Sequence, residues 1–206
     1  CRRCRTRPQP GSAGFGPGAL MLYAQVHLTL PAWVHELVDT DRIHAGDDDK
    51  VALAIELSRL NIEARSGGPF GAAIFGPDDR ILAVGVNRVL PHNCSLAHAE
   101  TMACMLAQQR TQQSRLNDIG GPITLATSAQ PCCQCYGAMF WAGIDALLIG
   151  ARSEDVMRLT EFDEGPLPAD WIGELESRGI AVVRDLHRDA ACDVLRSYGE
   201  QGGQFY

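Results

Sequence analysis

The segment at residues 123–151, ITLATSAQPCCQCYGAMFWAGIDALLIGA, predicts a strand, a helix and a second strand in direct succession. Its two ends are short runs rich in Ile, Leu and Ala, whereas its middle is a longer run of the length expected for a helix. Pro131 suits the turn from the first strand into that helix. This order predicts two parallel strands of one sheet, with the helix packed across them.

The rest of the chain repeats this alternation of strands and helices. The further elements are a helix over residues 47–66, strands over 70–76 and 81–89, a helix over 97–110, one helix after residue 151, a strand over 179–186 and a helix near 190–198. The turn GPDDR joins the two strands at 70–89 into a hairpin. Strands separated by helices predict an α/β domain with a mostly parallel sheet covered on both faces, and the hairpin adds an antiparallel edge.

The first twenty residues differ in composition from the rest of the chain. They are rich in Arg, Pro and Gly and contain no acidic residue, so they cannot build a core. We interpret residues 1–20 as a disordered or non-native tail, with a transit peptide as the alternative. No metal role is expected for Cys1 and Cys4. Residues 21–46 are interpreted as an N-terminal extension and residues 47–206 as one functional domain.

The distribution of charge bears on the class of partner. The chain has 18 Lys and Arg against 25 Asp and Glu, and four of the Arg lie in the first seven residues, so the remainder carries a net charge of −11. Phosphate groups bind to clustered Lys and Arg, so this composition argues against a nucleic-acid partner. No apolar run reaches the roughly 18 residues of a membrane helix, and the cysteines lack the regular spacing of a secreted disulfide framework. We therefore expect a cytoplasmic protein without a membrane partner.

Three cysteines follow the first strand of segment 123–151, and two of them have the spacing of a ligand pair. Cys132 and Cys135 are three positions apart at the start of a helix, so their side chains fall on one face. A helix N-terminus favours the thiolate form, which binds metal. Cys133 points elsewhere and is interpreted as a packed or spare thiol. A redox pair uses the same spacing, so the two cysteines alone leave both a metal site and a redox switch open.

His98 favours the metal site. The motif HAE at residues 98–100 opens the preceding helix, whose N-terminus is expected beside that of the cysteine helix at one edge of the sheet. Zinc prefers four ligands, and three protein ligands with an open fourth position are typical of a catalytic site. Glu100 lies too far round the helix to ligate beside His98, but it can accept and pass on a proton of the attacking water. The pattern H-x-E followed by P-C-x-x-C is the signature of zinc deaminases.

Over residues 51–206 the sequence resembles the cytidine deaminase-like superfamily, in particular the small zinc-dependent guanine deaminases of bacteria. The motifs that carry the resemblance are GGPFGAAIF, NRVLP, AHAE, SAQPCCQC and FDEGP. The resemblance implies a three-layer α/β/α sandwich with a mixed five-stranded sheet, a Zn²⁺ cofactor and a homodimer that acts on a free purine base. By position it assigns His98, Cys132 and Cys135 as the zinc ligands.

The resemblance also implies catalytic and substrate-binding residues. Glu100 corresponds to the acid that shuttles the proton. Glu164 is expected to accept hydrogen bonds from N1–H and the amino group of guanine, with Asp163 as the fallback. The further substrate contacts that it implies are Phe70, Asn87, the backbone of Ala99, Trp141 and Tyr206, the last in a C-terminal tail that covers the active site. From the local sequence alone, the acids could form a turn, Trp141 could belong to the core and the tail could be frayed.

Together these residues predict hydrolytic deamination of guanine to xanthine and ammonia, with amino-triazines as further candidate substrates because they present a similar edge. A tRNA-specific adenosine deaminase shares the zinc signature but needs a basic surface. A pyrimidine deaminase shares it as well. Two alternatives belong to other classes of protein: a non-catalytic zinc-stabilised binding module, which would have no use for Glu100, and a redox protein built on the CxxC pair.

Overall fold

The structure is a computed structural model and describes residues 25–206. The predictions for residues 1–20, including those for Cys1 and Cys4, lie outside the described residues. Within the described range, no helix is long and apolar enough to cross a membrane.

Between residues 25 and 206 the chain forms eight α-helices, five strands and one short 3₁₀ helix. The α-helices are α1 (Trp33–Leu37), α2 (Asp47–Glu63), α3 (Val89–His92), α4 (Ala99–Thr111), α5 (Cys133–Ala142), α6 (Ser153–Leu159), α7 (Trp171–Glu176) and α8 (Arg188–Glu200). The strands are β1 (Gly71–Phe75), β2 (Ile81–Val86), β3 (Thr124–Ala129), β4 (Ala146–Ala151) and β5 (Ala181–Val183). The 3₁₀ helix is Leu116–Ile119.

The five strands form one mixed sheet in the order β2-β1-β3-β4-β5, which confirms the predicted fold class. Strand β1 is antiparallel to both β2 and β3, whereas β3, β4 and β5 run parallel to one another. The sheet is therefore less parallel than the element order alone predicts. The predicted hairpin does form the antiparallel edge of the sheet, with β2 outermost and β1 between β2 and β3, and helix α4 connects β2 to β3.

Helices cover both faces of the sheet, so the domain has three layers. Along β1 the side chains alternate: Ala73 and Phe75 pack under α2, α6 and α8. Ala72 and Ile74 face the opposite layer, which contains α4, α5 and α7. Every residue of β1 is buried, as expected for a strand covered on both faces.

Two boundaries differ from the sequence prediction. The strand predicted to end at residue 89 ends at Val86, and Val89 instead begins helix α3. Pro91 is compatible with this short helix because the first turn of a helix needs no N–H from it. Two helices, α6 and α7, lie between β4 and β5, where one was predicted, and a loop containing the acidic motif FDEGP separates them.

A glycine allows helix α4 to pack closely on β2. A Cβ atom on Gly85 would lie 1.9 Å from the carbonyl oxygen of Ala99, the first residue of α4. Only a residue without a side chain permits this approach. The N-terminus of α4 is thereby fixed against the sheet, immediately after His98.

Candidate active site

Two helix N-termini meet at one edge of the sheet. His98 immediately precedes α4 and Cys132 immediately precedes α5, both in extended backbone conformation. Strands β2 and β3 run in the same direction, since each is antiparallel to β1. The connections that leave their ends therefore start on the same side of the sheet, which brings residues 98 and 132 together although 34 positions separate them.

The structure brings the three predicted zinc ligands into one group, which we call the metal cluster: His98, Cys132 and Cys135. One ligand atom from each lies within 4.8 Å of the others. The Nδ1 atom of His98 is 3.4 Å from the sulfur of Cys132 and 3.5 Å from that of Cys135. An imidazole nitrogen and two thiol sulfurs form a donor set that suits Zn²⁺.

The chemistry of the cluster also fits a cation. The pKa of the Cys132 thiol is lowered to about 4, first because Cys135 donates a hydrogen bond to its sulfur and then because of its contact with His98. A cysteine binds metal as the thiolate. Cys132 therefore offers the ligand form that zinc requires, whereas its hydrogen bond with Cys135 and then burial raise the pKa of the Cys135 thiol well above its usual value. A bound cation favours the thiolate form of both sulfurs.

Glu100 lies directly beside the metal cluster and is almost fully buried. One of its carboxylate oxygens is 3.3 Å from the sulfur of Cys135. Burial raises the pKa of Glu100 to about 7, with a further contribution from the negative charge of Cys132. A carboxyl group with a pKa near the working pH can both take and give a proton, as a general acid–base group must.

The metal cluster opens into a pocket whose cavity has a volume of about 50 Å³. This is smaller than the roughly 300–1,000 Å³ of a typical ligand site. The residues that line it are Phe70, Asn87, His98, Glu100, Gln130, Cys132, Phe162, Asp163, Glu164 and Tyr206. Part of the pocket wall comes from the acidic loop, which we define as residues 160–166, and from the C-terminal tail, residues 201–206.

The acidic loop turns one of its two candidate acids inward. Glu164 is 8% exposed, and burial raises its pKa to about 8, helped by the negative charges of Cys132, Glu100 and Asp163. Asp163 is exposed and its side chain accepts a hydrogen bond from the N–H of Gly165 at 2.9 Å. The buried carboxyl group in the pocket is thus that of Glu164.

The C-terminal tail folds back over the pocket of its own chain. The side-chain amide of Asn87 donates a hydrogen bond to the hydroxyl of Tyr206. The ring of Tyr206 lies 6.0 Å from that of His98 and 5.1 Å from that of Phe162. Phe70 contacts Phe162 edge to face at 5.1 Å. Three of the predicted substrate contacts therefore lie together in this pocket: Phe70, Asn87 and Tyr206.

The side chains of two other residues predicted to contact the substrate do not line the pocket. Trp141 does not line this pocket: its side chain is 71% exposed on α5 and packs against Phe140. The alternative of a core position does not hold either, because this side chain is exposed. Ala99 is fully buried beside His98, with its carbonyl against Gly85, and its side chain does not line the pocket.

Two pocket residues were missed by the sequence analysis, Gln130 and Phe162. Gln130 is buried at the end of β3, directly before Pro131 and Cys132, so its position next to a ligand was a usable signal. Phe162 contacts four aromatic rings: Phe70, Tyr198, Phe205 and Tyr206. Those partners are distant in sequence, and no local sequence pattern predicts these contacts.

Comparison with known proteins places this geometry among related sites. Residues 46–151 match the model of the cytidine and deoxycytidylate deaminase zinc-binding region. A probable cytosine deaminase of Schizosaccharomyces pombe is 32% identical over 61% of this chain and 74% of its own length.

Solved structures are similar over most of the chain. A structure of guanine deaminase from Nitrosomonas europaea is 41% identical, with a TM-score of 0.81, and the match covers 87% of this chain and 99% of that one. A structure of the protein NE0047 in complex with 2,6-diaminopurine is 43% identical, with a TM-score of 0.80, and covers 87% of this chain and 95% of that one.

Proposed function

Because the chain belongs to the cytidine and deoxycytidylate deaminase zinc-binding family, we propose that it is a zinc-dependent aminohydrolase that converts guanine and water to xanthine and ammonia. The similarity to guanine deaminase from Nitrosomonas europaea supports this substrate, and so does the purine analogue bound to NE0047. A role in purine metabolism follows from this reaction.

The observation that carries the choice of substrate is the buried Glu164 in the same pocket as Glu100 and the metal cluster. Guanine presents two adjacent donors, N1–H and the 2-amino group, next to the carbon that is attacked. When ionised, a single carboxylate can accept from both, and these two donors favour the charged form, against the burial that favours the neutral form. Adenine and cytosine carry no N–H beside their amino-bearing carbon, so a second buried carboxylate would face an acceptor there and repel it.

The metal cluster supplies the ligands. His98, Cys132 and Cys135 would hold Zn²⁺ through one nitrogen and two sulfurs, which leaves the fourth position for the reaction. When bound, zinc lowers the pKa of water so that a nucleophile is available near neutral pH.

Glu100 moves the proton. It takes a proton from the attacking water and delivers it to N3 of the ring as C2 becomes tetrahedral. Glu100, Glu164 or both then relay the proton of the new C2 hydroxyl group to the amino nitrogen. The bond from C2 to that nitrogen breaks, C2=O forms and ammonia leaves. The pKa of about 7 for Glu100 suits this exchange in both directions.

Other residues that line the pocket hold the base. Asn87 donates its amide to an acceptor on the purine, Phe70 lies against the ring, and Tyr206 covers the mouth. The hydrogen bond from Asn87 to Tyr206 supports a donor directed into this space. Asp163 remains the fallback for Glu164, and the backbone of Ala99 remains the proposed contact beside the metal.

The test is ammonia release from purified, zinc-loaded protein. Guanine, adenine, adenosine, cytosine and an amino-triazine are offered in parallel, with Glu100→Ala as the control. We expect rapid release from guanine that is abolished in the control. Ammonia release from cytosine but not from guanine would overturn the proposal in favour of a pyrimidine deaminase, the function that the Schizosaccharomyces pombe relative supports. If no free base releases ammonia, tRNA is tested next as the substrate.

Three further properties are part of the proposal. Residues 47–206 form the catalytic domain, the protein is cytoplasmic, and it acts as a homodimer. Light scattering coupled to size-exclusion chromatography measures the mass directly, and a mass of 22.3 kDa, that of the monomer, would contradict the dimer.

A further inference from the structure

The acidic loop is hydrogen bonded to the helix that carries the cysteines. Cys133 is the first residue of α5 and lies between the two cysteine ligands in sequence. Its backbone N–H donates to the carbonyl oxygen of Glu164 at 3.0 Å. The first N–H groups of a helix have no partner within the helix, so this donor is free to hold a group from elsewhere in the chain.

The loop also packs tightly on the same residue. Gly165 has a φ of +67°, and a Cβ atom there would lie 2.5 Å from the sulfur of Cys133. The N–H of Gly165 is itself engaged by the side chain of Asp163. The peptide that follows Glu164 therefore sits in a left-handed turn directly against the Cys133 thiol, with no room for a larger residue.

We propose that Cys133 is a positioning residue, which acts through its backbone N–H to direct the carboxyl group of Glu164 into the pocket. The inference rests on the proposed function, because it deepens the role of Glu164 in that reaction. The thiol of Cys133 only packs against Gly165. The first turn of α5 thereby holds both sides of the site: it carries Cys132 and Cys135 for the metal, and it fixes the loop that presents the second acid.

The loop has other anchors, so loss of this hydrogen bond shifts Glu164 without unfolding the protein. The N–H of Phe162 donates to the hydroxyl of Thr160 at 3.2 Å. The ring of Phe162 is buried among other aromatic rings, 5.0 Å from that of Phe205. These contacts hold the start of the loop. After Phe162, the loop is held by the hydrogen bond from the Cys133 N–H to the carbonyl oxygen of Glu164.

The decisive variant is Cys133→Pro, with Cys133→Ala as its matched control. Proline lacks the N–H but suits the first position of a helix. Cys132, which would precede it, already has the extended backbone that a following proline requires, with φ −67° and ψ 175°. Alanine removes the thiol and keeps the N–H. Both variants are therefore expected to fold and to bind zinc.

We expect kcat for guanine to fall about 10- to 100-fold in Cys133→Pro, since a misplaced catalytic group costs about that much. The fall in Cys133→Ala should be less than about threefold, and zinc content and Tm should stay close to wild type in both. A purely structural role would lower Tm or zinc content together with the rate. Equal kcat in the two variants would overturn the proposal.

A steric variant tests the same contact from the other side. Gly165→Ala should lower kcat because its methyl group meets the Cys133 sulfur, and the double variant Gly165→Ala with Cys133→Ala should recover part of the loss. No recovery would mean that the strain at the positive φ alone explains the defect, and that the loop is not held against residue 133.

Hydrogen exchange separates this inference from the proposed function. If the wild-type protein releases no ammonia from guanine, the proposed function fails. The exchange rate of the Cys133 amide still tests whether its hydrogen bond to Glu164 exists. In the zinc-loaded protein that amide should exchange far more slowly than a solvent-exposed N–H. Rapid exchange would overturn the contact between Cys133 and Glu164 whatever the substrate.

Discussion

The two walls of the pocket are built in different ways. The metal wall consists of His98, Glu100, Cys132 and Cys135 on the first turns of α4 and α5, which lie directly on the sheet. The loop wall consists of the acidic loop and the C-terminal tail, which have no regular structure and follow α6 and α8. The metal wall is fixed by backbone geometry, whereas the loop wall is fixed by a small number of side-chain contacts and single hydrogen bonds.

The two walls should differ in how far a substitution displaces their functional side chains. A residue on a helix terminus keeps its place if its neighbours change, because the strand and the helix hold it. A loop residue keeps its place only through its partners, so changes at a distance reach it. We therefore expect defects in the metal wall to be complete and confined to metal and proton chemistry, and defects in the loop wall to be graded.

The largest effect is expected from Cys135→Ala, which removes a buried side chain of the metal cluster. Two remaining ligands hold zinc weakly, so we expect stoichiometric loss of zinc and of deaminase activity. Cys133→Ala, with the neighbouring but exposed thiol, is the control and should keep its zinc. Mass spectrometry of the metal content after dialysis measures both. Retention of zinc in Cys135→Ala would refute the ligand set.

The second effect is expected from Glu164→Gln, which removes the ionisable carboxyl group of the loop wall and leaves the metal wall intact. Loss of the group that we propose accepts from the substrate and relays a proton should lower kcat for guanine about 100-fold. Zinc content should not change. Asp163→Asn is the control, because that side chain is exposed and serves the turn at Gly165. A larger loss in Asp163→Asn would reverse the assignment of the two acids.

The same contrast explains what the sequence could predict. The order of strands and helices, the grouping of His98 with two cysteines and the nearby Glu100 follow from local spacing combined with the geometry of an α/β sheet. The insertion of β1 between β2 and β3 does not, because pairing partners distant in sequence decide it. The loop wall was accessible mainly through resemblance. Its contacts, such as Phe162 on four rings and Cys133 on Glu164, join residues that no local pattern connects.

A moderate effect is expected from removal of Phe205 and Tyr206, the aromatic part of the loop wall. Phe205 and Tyr206 lie 5.0 Å and 5.1 Å from the ring of Phe162. Aromatic pairs contribute about 0.5–1.5 kcal/mol each, so we expect KM for guanine to rise about tenfold. Tyr206→Phe keeps the ring and loses only the partner of Asn87, so its effect should be smaller. A lower KM in the truncated protein would mean that the tail competes with the substrate.

The smallest effect on the rate is expected from Asp155→Asn, which tests how the loop wall is anchored. Asp155 lies in α6, just before the acidic loop, and its buried carboxylate accepts hydrogen bonds from Arg188 at 2.6 Å and from Arg158 at 2.8 Å. Arg188 is the first residue of α8, which leads to the C-terminal tail. This ion pair therefore ties together the two helices that carry the loop wall. Breaking a buried pair costs several kcal/mol, but the arginines are partly exposed, so we expect the free energy of unfolding to fall by about 2 kcal/mol.

The effect should depend on pH in a defined direction. The hydrogen bond from Arg188 is the main cause that holds the pKa of Asp155 well below its usual value of 3.8 in the folded protein. The stabilisation is thus fully present above about pH 5 and declines as the pH falls below the unfolded pKa of about 4, because the unfolded chain takes up its proton first. In urea unfolding at pH 7, 5 and 4, the difference between wild type and Asp155→Asn should therefore be constant at the two higher values and begin to shrink at the lowest. Glu154→Gln, on the exposed side of the same helix turn, should show little difference at any pH. A difference that grows on acidification would mean that Asp155 is not held as the anion, and that α6 is fixed by its apolar contacts alone.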